Sequence, residues 1–216
     1  MKRIVLLLIL SFSQFFILTT YAAGKDAETR KVLDATAERI RNAGGMSIQF
    51  TAMSLMGSVP QDQVSGTMDI MGKKFYMKTP DMQTWFDGKT QWSLQTGDIE
   101  VDMTEPTGTE LQMMNPYAFI NIYKRGFNYK MRRGKMVNGK EGYRITLTAD
   151  NGKQDIREMF LEVDDHYNPV RVSIRQGKKQ WVRLVVNRFT TGQTFADIHF
   201  TFPQSKYPNV EVIDLR

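Results

Sequence analysis

The 216-residue chain contains no cysteine and only two histidines, His166 and His199. Disulfides, thiolate metal sites, a cysteine nucleophile and a histidine-rich zinc cage are thereby excluded. So is a lipid anchor on an N-terminal cysteine of the chain itself. Catalytic signatures are missing too: there is no G-x-S-x-G elbow, no G-x-x-x-x-G-K-[ST] phosphate loop, no G-x-G-x-x-G and no H-E-x-x-H. His166 lies in "DDHYNP", a turn composition. His199, in "DIHFTF", reads as a plain residue of an alternating strand without the partners that acid–base chemistry needs. Carboxylates are scattered rather than paired in apolar context. The chain is not expected to be an enzyme, and no metal or cofactor is expected.

Only one long apolar run is present, at the N-terminus. Lys2 and Arg3 precede the uncharged stretch Ile4 to Leu18, and the small residues Ala22, Ala23 and Gly24 follow. At 15 residues the stretch is shorter than the roughly 20 that span a bilayer as a helix. Residues 1–23 are therefore read as a cleaved signal peptide, and residues 24–216 as one exported domain. Its removal takes away two positive charges and lowers the formal charge from +6 to +4. That modest excess, with no recognition motif, does not point to nucleic acid.

What remains is patterned. Residues 26–43 repeat apolar positions at helical steps through Leu33, Ala37, Ile40 and Ala43, with Asp26 as N-cap and Gly44 as a left-handed stop. The period then changes to two. "MSIQFTAMSL", "VSGTMDI", "KFYMK" and "DIEVDM" alternate as strands, and "DMQTWFDGKTQWSL" reads as a hairpin turning at Asp87-Gly88. Residues 105–123 interrupt with an unusually apolar, helix-like connection. Alternation resumes in "GYRITLTA", "IREMFLEVD", "PVRVSIRQ", "QWVRLVVNRF" and "ADIHFTFP". The expectation is mainly β with an α lid: one antiparallel sheet of about ten or eleven strands, curved into an incomplete barrel.

Two features admit two readings each. Of the 14 methionines, 12 lie between Met46 and Met136. They serve either as gap-fillers of an ordinary core or as the lining of a deformable hollow for a flexible apolar ligand. The basic run of residues 124–140 carries no acidic residue. It is either a solvated hairpin or a contact surface for anionic headgroups or an acidic partner.

The order of these features resembles the periplasmic lipoprotein carriers of the LolA-type family. The N-terminal helix leads into "MSIQFTAMSL", similar to that family's helix followed by an A-x-F-x-Q-type strand. "WFDGKTQWSL" resembles its D-G-K-T hairpin, and "NPYAFINIY" its mid-chain apolar helix. "IREMFLEVDDHYNPVRVSIRQ" and "FTFPQSKYPNVEVIDL" resemble its late hairpin and its F-x-F-x-P-x-x-x-V terminus.

That resemblance implies a monomer in the periplasm whose concave apolar face is covered by the N-terminal helix and the mid-chain helices. It implies as cargo the acyl chains of lipid-modified proteins, received from an ATP-driven inner-membrane transporter and handed to an outer-membrane acceptor. Phe50, Ala52, Met68, Ile70, Phe75, Met77, Trp92 and Leu94 are the candidate cavity residues, and Leu33, Ile40, Met114, Phe119 and Ile122 the apolar face of the lid. The family's lid-latching arginine has no counterpart here, where the stretch reads Met71-Gly72-Lys73-Lys74. A lysine lacks the planar fork of donors. Two or three lipid chains carry on the order of 30–45 methylenes, whose exposure to water would cost roughly 25–35 kcal/mol, so such cargo needs an escort. An exported binder of a free lipid or glycolipid, or a structural or sensory module, fits the same fold.

Overall fold

The computed structural model describes residues 27–108, 110–111, 122–151, 156–175 and 178–216. It opens with helix α1, residues 27–41. Thr29, Val32, Leu33, Thr36 and Ala37 are buried, one stripe at helical spacing. The Thr36 hydroxyl donates to the Val32 carbonyl at 2.8 Å, so its burial leaves no orphan group. Gly44, at φ +66°, turns the chain out of the helix in a conformation that a side chain would strain. Asp26, the expected cap, lies outside the described residues.

Six strands follow as a meander: β1 (Gly45–Met56), β2 (Val59–Met71), β3 (Lys74–Lys78), β4 (Met82–Phe86), β5 (Gln91–Gln95) and β6 (Glu100–Thr104). Residues 105–126 then carry the chain to the opposite edge. There β7 (Phe127–Lys135), β8 (Glu141–Ala149), β9 (Glu158–Val163), β10 (Pro169–Arg175) and β11 (Gln180–Gln193) run back toward the centre. β11 pairs with β1, closing both meanders into one open, curved sheet ordered β12-β6-β5-β4-β3-β2-β1-β11-β10-β9-β8-β7. Every pairing is antiparallel except that of β12 (Glu211–Asp214), which lies parallel to β6. The sheet thus has twelve strands, slightly more than the alternation suggested, because β12 is short and β7 sits inside the basic run.

Hairpin chemistry fixes the registers. At the expected Asp87-Gly88 turn the Asp87 carboxylate accepts from the backbone N–H of Lys89 and Thr90, both at 2.8 Å, and Gly88 adopts φ +106°. Trp85 then faces Trp92 across the pair. In the "DDHYNP" turn Asp164 accepts from His166 and Asn168 in the same way.

One expected strand is not a strand. Asp197–Phe200 forms a 3-10 turn that packs on β3, on the face opposite α1. His199 therefore is not in the sheet: its Nε2 lies 2.8 Å from the Asp69 carboxylate, and its ring stacks on Phe195. The apolar alternation there arises because Phe200 and Phe202 both bury against aromatic neighbours, not because the backbone is extended in a ladder. Around Phe202 gather Trp85, Leu94, Val101, Trp92 and Tyr207, a core on the outer face of β4–β6. This half of the sheet is buried on both faces.

Candidate ligand-binding cavity

The inner face of the sheet is divided between helix and hollow. Toward one end α1 packs down. Val32, Leu33 and Ala37 join Ile145, Leu147, Met159, Leu161, Val172 and Ile174 of β8–β10, while Ile40 and Ala43 meet Met46, Ile48, Ile70, Phe75 and Phe86 of β1–β4. Toward the other end no described helix residue lines the inner face. A cavity of about 510 Å³ opens there, floored by Phe50 and Ala52 of β1, Val64 and Met68 of β2, Met77 of β3, Val172 and Ile174 of β10, and Val182 and Leu184 of β11. Thr79, Asp81, Met82 and Gln95 complete its lining. The three polar groups among these come from the β3–β4 turn and the end of β5, which are tied together by the Thr79 hydroxyl on Met82 and by the Met82–Gln95 pairing.

Cross-strand register explains the lining. Val64, Ala52 and Leu184 stand side by side across β2, β1 and β11, and Gly66, Phe50 and Val186 form the next rung. Gly66 is required for close approach: a Cβ there would lie 2.8 Å from Phe50 Cζ and 2.5 Å from the Lys78 carbonyl oxygen. The edge of the Phe50 ring thus occupies the space a side chain at residue 66 would take.

Of the expected cavity residues, Phe50, Ala52, Met68 and Met77 line the hollow. Ile70 and Phe75 share that face but are packed solid near α1, Phe75 fully buried against Phe86 at a ring separation of 5.3 Å. Trp92 and Leu94 are corrected: they sit on the outer face, in the layer with Trp85 and Phe202. The reason is parity. Phe75 pairs with Phe86 and Phe86 with Gln91, so β5 turns Gln91, Ser93 and Gln95 inward and its two large apolar residues outward.

Leu33 and Ile40 do form the apolar underside of α1. Ile122 packs against the same cluster as Leu33, and Leu111, at the near end of the mid-chain insertion, packs with the Ile40 cluster. Met114 and Phe119 lie outside the described residues. The insertion starts with a capping box: Thr107 and Glu110 bond reciprocally, and the two bonds from Thr107 hold the Glu110 carboxyl below the usual range.

Val64, which shares a strand face with Met68 and Ile70, also lines the hollow, as do Val172, Ile174, Val182 and Leu184, whose alternation in "V-R-V-S-I" and "V-R-L" marks an inner face. Lys74 does not replace the missing arginine; its ammonium pairs with Asp197 at 2.7 Å on the outer side. The ties that hold α1 down are different. Tyr123, at the far end of the insertion, donates its hydroxyl to the Asp34 carboxylate of α1, and Arg39 donates to Asn168 at 3.1 Å. Burial first, then the Asp34 contact, pushes the Tyr123 phenol well above its usual pKa.

Comparison with known proteins agrees with this architecture. No curated protein matches the sequence. LprF from Mycobacterium bovis superposes with a TM-score of 0.50 at 11% identity, covering 80% of this chain and 97% of that one. A LolA superfamily protein from Nitrosomonas europaea gives 0.44 at 8% identity, covering 80% and 96%. The lipoprotein LppX from Mycobacterium tuberculosis gives 0.41 at 17% identity, covering 80% and 98%. The profile described as outer membrane lipoprotein carrier protein LolA matches residues 18–178, well over half of the sequence. The chain belongs to that family of non-enzymatic, periplasmic carriers.

Proposed function

We propose that residues 24–216, exported and freed of a signal peptide, form a periplasmic carrier that shields one fatty chain of an amphipathic lipid. The supporting observation is the apolar hollow of about 510 Å³ that the described residues leave beside α1 on the inner face. A methylene is close in size to a water molecule, which claims ~30 Å³ in the liquid, so the hollow holds on the order of 17 such groups, or one long chain. Burying that chain is worth roughly 14 kcal/mol of gross transfer free energy. Met68, Met77 and Met82 on the wall suit a ligand that is flexible rather than rigid.

The polar rim orients the ligand. Thr79, Asp81 and Gln95 receive the head group, and the Asp81 carboxylate selects heads that donate hydrogen bonds over anionic ones. Asp81→Asn is expected to raise affinity for a long-chain fatty acid relative to the alcohol of equal length by about fivefold, since an exposed like-charge contact is worth ~1 kcal/mol. Competition against a fluorescent acyl probe at low salt reads this ratio.

Ligand exchange requires α1 to lift. Tyr123→Phe removes one charge-assisted tie and is expected to speed probe release about tenfold, the equivalent of ~1.4 kcal/mol. Stopped-flow displacement measures it. Because the folded phenol is raised above its unfolded value, the tie is intact below a pH of about 10 and weakens as pH rises through the folded pKa. The wild-type release rate should climb toward that of the variant at alkaline pH.

The family description favours a second reading, a shuttle that takes lipoproteins from an inner-membrane transporter to an outer-membrane acceptor. A triacylated protein, with its 30–45 methylenes, exceeds the hollow's estimated capacity by roughly twofold. Native mass spectrometry of protein purified after co-expression with a triacylated lipoprotein separates the two. A bound lipid of ordinary mass supports the first reading, a co-purifying lipoprotein supports the second, and a chain devoid of either under lipid-retaining conditions overturns both.

A further inference from the structure

The outer face of β7–β11, away from the cavity, carries its own pattern. One rung reads Arg132, Arg144, Glu162, Arg171 across β7 to β10; the next reads Lys130, Thr146, Phe160, Ser173, Arg183 across β7 to β11. Glu162 is almost fully buried, accepting from Arg171 at 2.8 Å and from the Val137 N–H at 2.8 Å, with Arg144 at 3.5 Å. Arg171 and Arg144 flank the Phe160 ring at 4.6 and 5.6 Å. Glu162 is the sole carboxylate of these two rungs, against five cations. Burial, with Arg183 and Arg144 nearby, holds the Arg171 guanidinium below its usual pKa despite Glu162. Arg171 Nε, Arg183 Nε and Ser173 Oγ are buried without a hydrogen-bond partner among the described residues.

The rungs end at β7, which among the described residues is an edge strand with β8 as its single ladder neighbour. A groove of about 950 Å³ runs along it, lined by the consecutive residues Phe127 to Arg132 together with Arg144, Thr146 and Thr148 of β8. Lining by consecutive residues means that the groove reaches the strand's backbone, not only one row of side chains. Lys130 and Arg132 are exposed there and form no ion pair among the described residues.

We propose that this edge docks an extended acidic segment of a partner protein, added beside β7 as a further strand with carboxylates at alternate positions next to Lys130 and Arg132. Alternation follows from the strand period of two, and main-chain pairing supplies the affinity. Arginine predominates over lysine in the two rungs, which suits planar, bidentate carboxylate recognition. A second copy of this chain would bring like charges together and is disfavoured. A membrane surface is disfavoured because, among the described residues, Val137 is the one large exposed apolar side chain bordering this face, too little to anchor the protein in a bilayer.

The test uses the full mature chain and a labelled decapeptide of alternating Glu and Thr, with an alternating Lys–Thr peptide and phosphatidylglycerol vesicles as comparisons. Fluorescence anisotropy at low salt should show binding of the acidic peptide alone, weakened at least tenfold in the double variant Lys130→Gln/Arg132→Gln. Hydrogen exchange should slow at β7 amides in the complex. Equal binding of the Lys–Thr peptide, no effect of the double variant, no added protection at β7, or vesicle binding with no peptide binding would each overturn the proposal. Both substituted side chains are exposed, and uptake of the acyl probe should be unchanged in the variant. Failure here and failure of the cavity reading are therefore told apart.

Discussion

Ala52→Trp is expected to reduce uptake of a fluorescent single-chain acyl probe on the order of 100-fold while leaving the fold in place. Ala52 stands between Val64 and Leu184 on the cavity floor, its side chain lining the hollow. An indole there occupies the path of roughly four chain carbons, whose burial is worth ~3 kcal/mol in all, and each 1.4 kcal/mol is about tenfold in affinity. Because the indole grows into space that the described residues leave open, the thermal midpoint should hold or rise slightly, as for a filled cavity. Retained affinity would show that the chain binds elsewhere or not at all. Phe75→Asp, which also faces inward, gives no such separation. Phe75 is fully buried beside Ile70 and Phe86, so its replacement by a carboxylate would unfold the sheet before it informed on binding.

The helix, the hairpin at Asp87-Gly88 and most strands were legible because one physical signal dominated each. Leu33, Ala37 and Ile40 repeat with a helix period against a charged opposite face, and an Asx turn with a positive-φ glycine leaves little choice of register. Which face of β5 points inward was not legible from composition. There the inner positions are Gln91, Ser93 and Gln95, and the outer ones are Trp92 and Leu94. Hydrophobicity thus points the wrong way, because the C-terminal segment supplies an aromatic cover to the outer side that no local pattern announces. Counting through the hairpins from Phe75 to Phe86 to Gln91 would have recovered the parity. The same non-local cover misled the reading of "ADIHFTFP", whose phenylalanines alternate for burial rather than for strand pairing. At β10 and β11 the reverse holds. Arginines alternate with Val172, Ile174, Val182 and Leu184, so the inner face was readable there, while the use of the outer arginines was not.

Trp85→Ala should destabilise the fold far more than Ala52→Trp, and its consequences should stay on one side of the sheet. The Trp85 ring lies 5.3 Å from Phe202 and 6.1 Å from Tyr207, both edge-to-face, and 5.3 Å from Tyr76. Deleting a buried aromatic of this kind typically costs 3–5 kcal/mol, a large share of the ~5–15 kcal/mol that holds a domain together. For a domain of this size that lowers the thermal midpoint by on the order of 10 °C. The loss falls on the contacts that fasten residues 195–210 across β3–β6, so limited proteolysis should find new cleavage in that segment ahead of any in β7–β11. Below the lowered midpoint, acyl-probe uptake should persist, since Trp85 contributes no atom to the cavity and its strand partner Tyr76 also faces outward. Parallel loss of binding and of outer-face packing at low temperature would mean that the two faces are energetically one unit. Retained binding on a loosened outer face would establish that the hollow keeps its shape through inner-face packing alone.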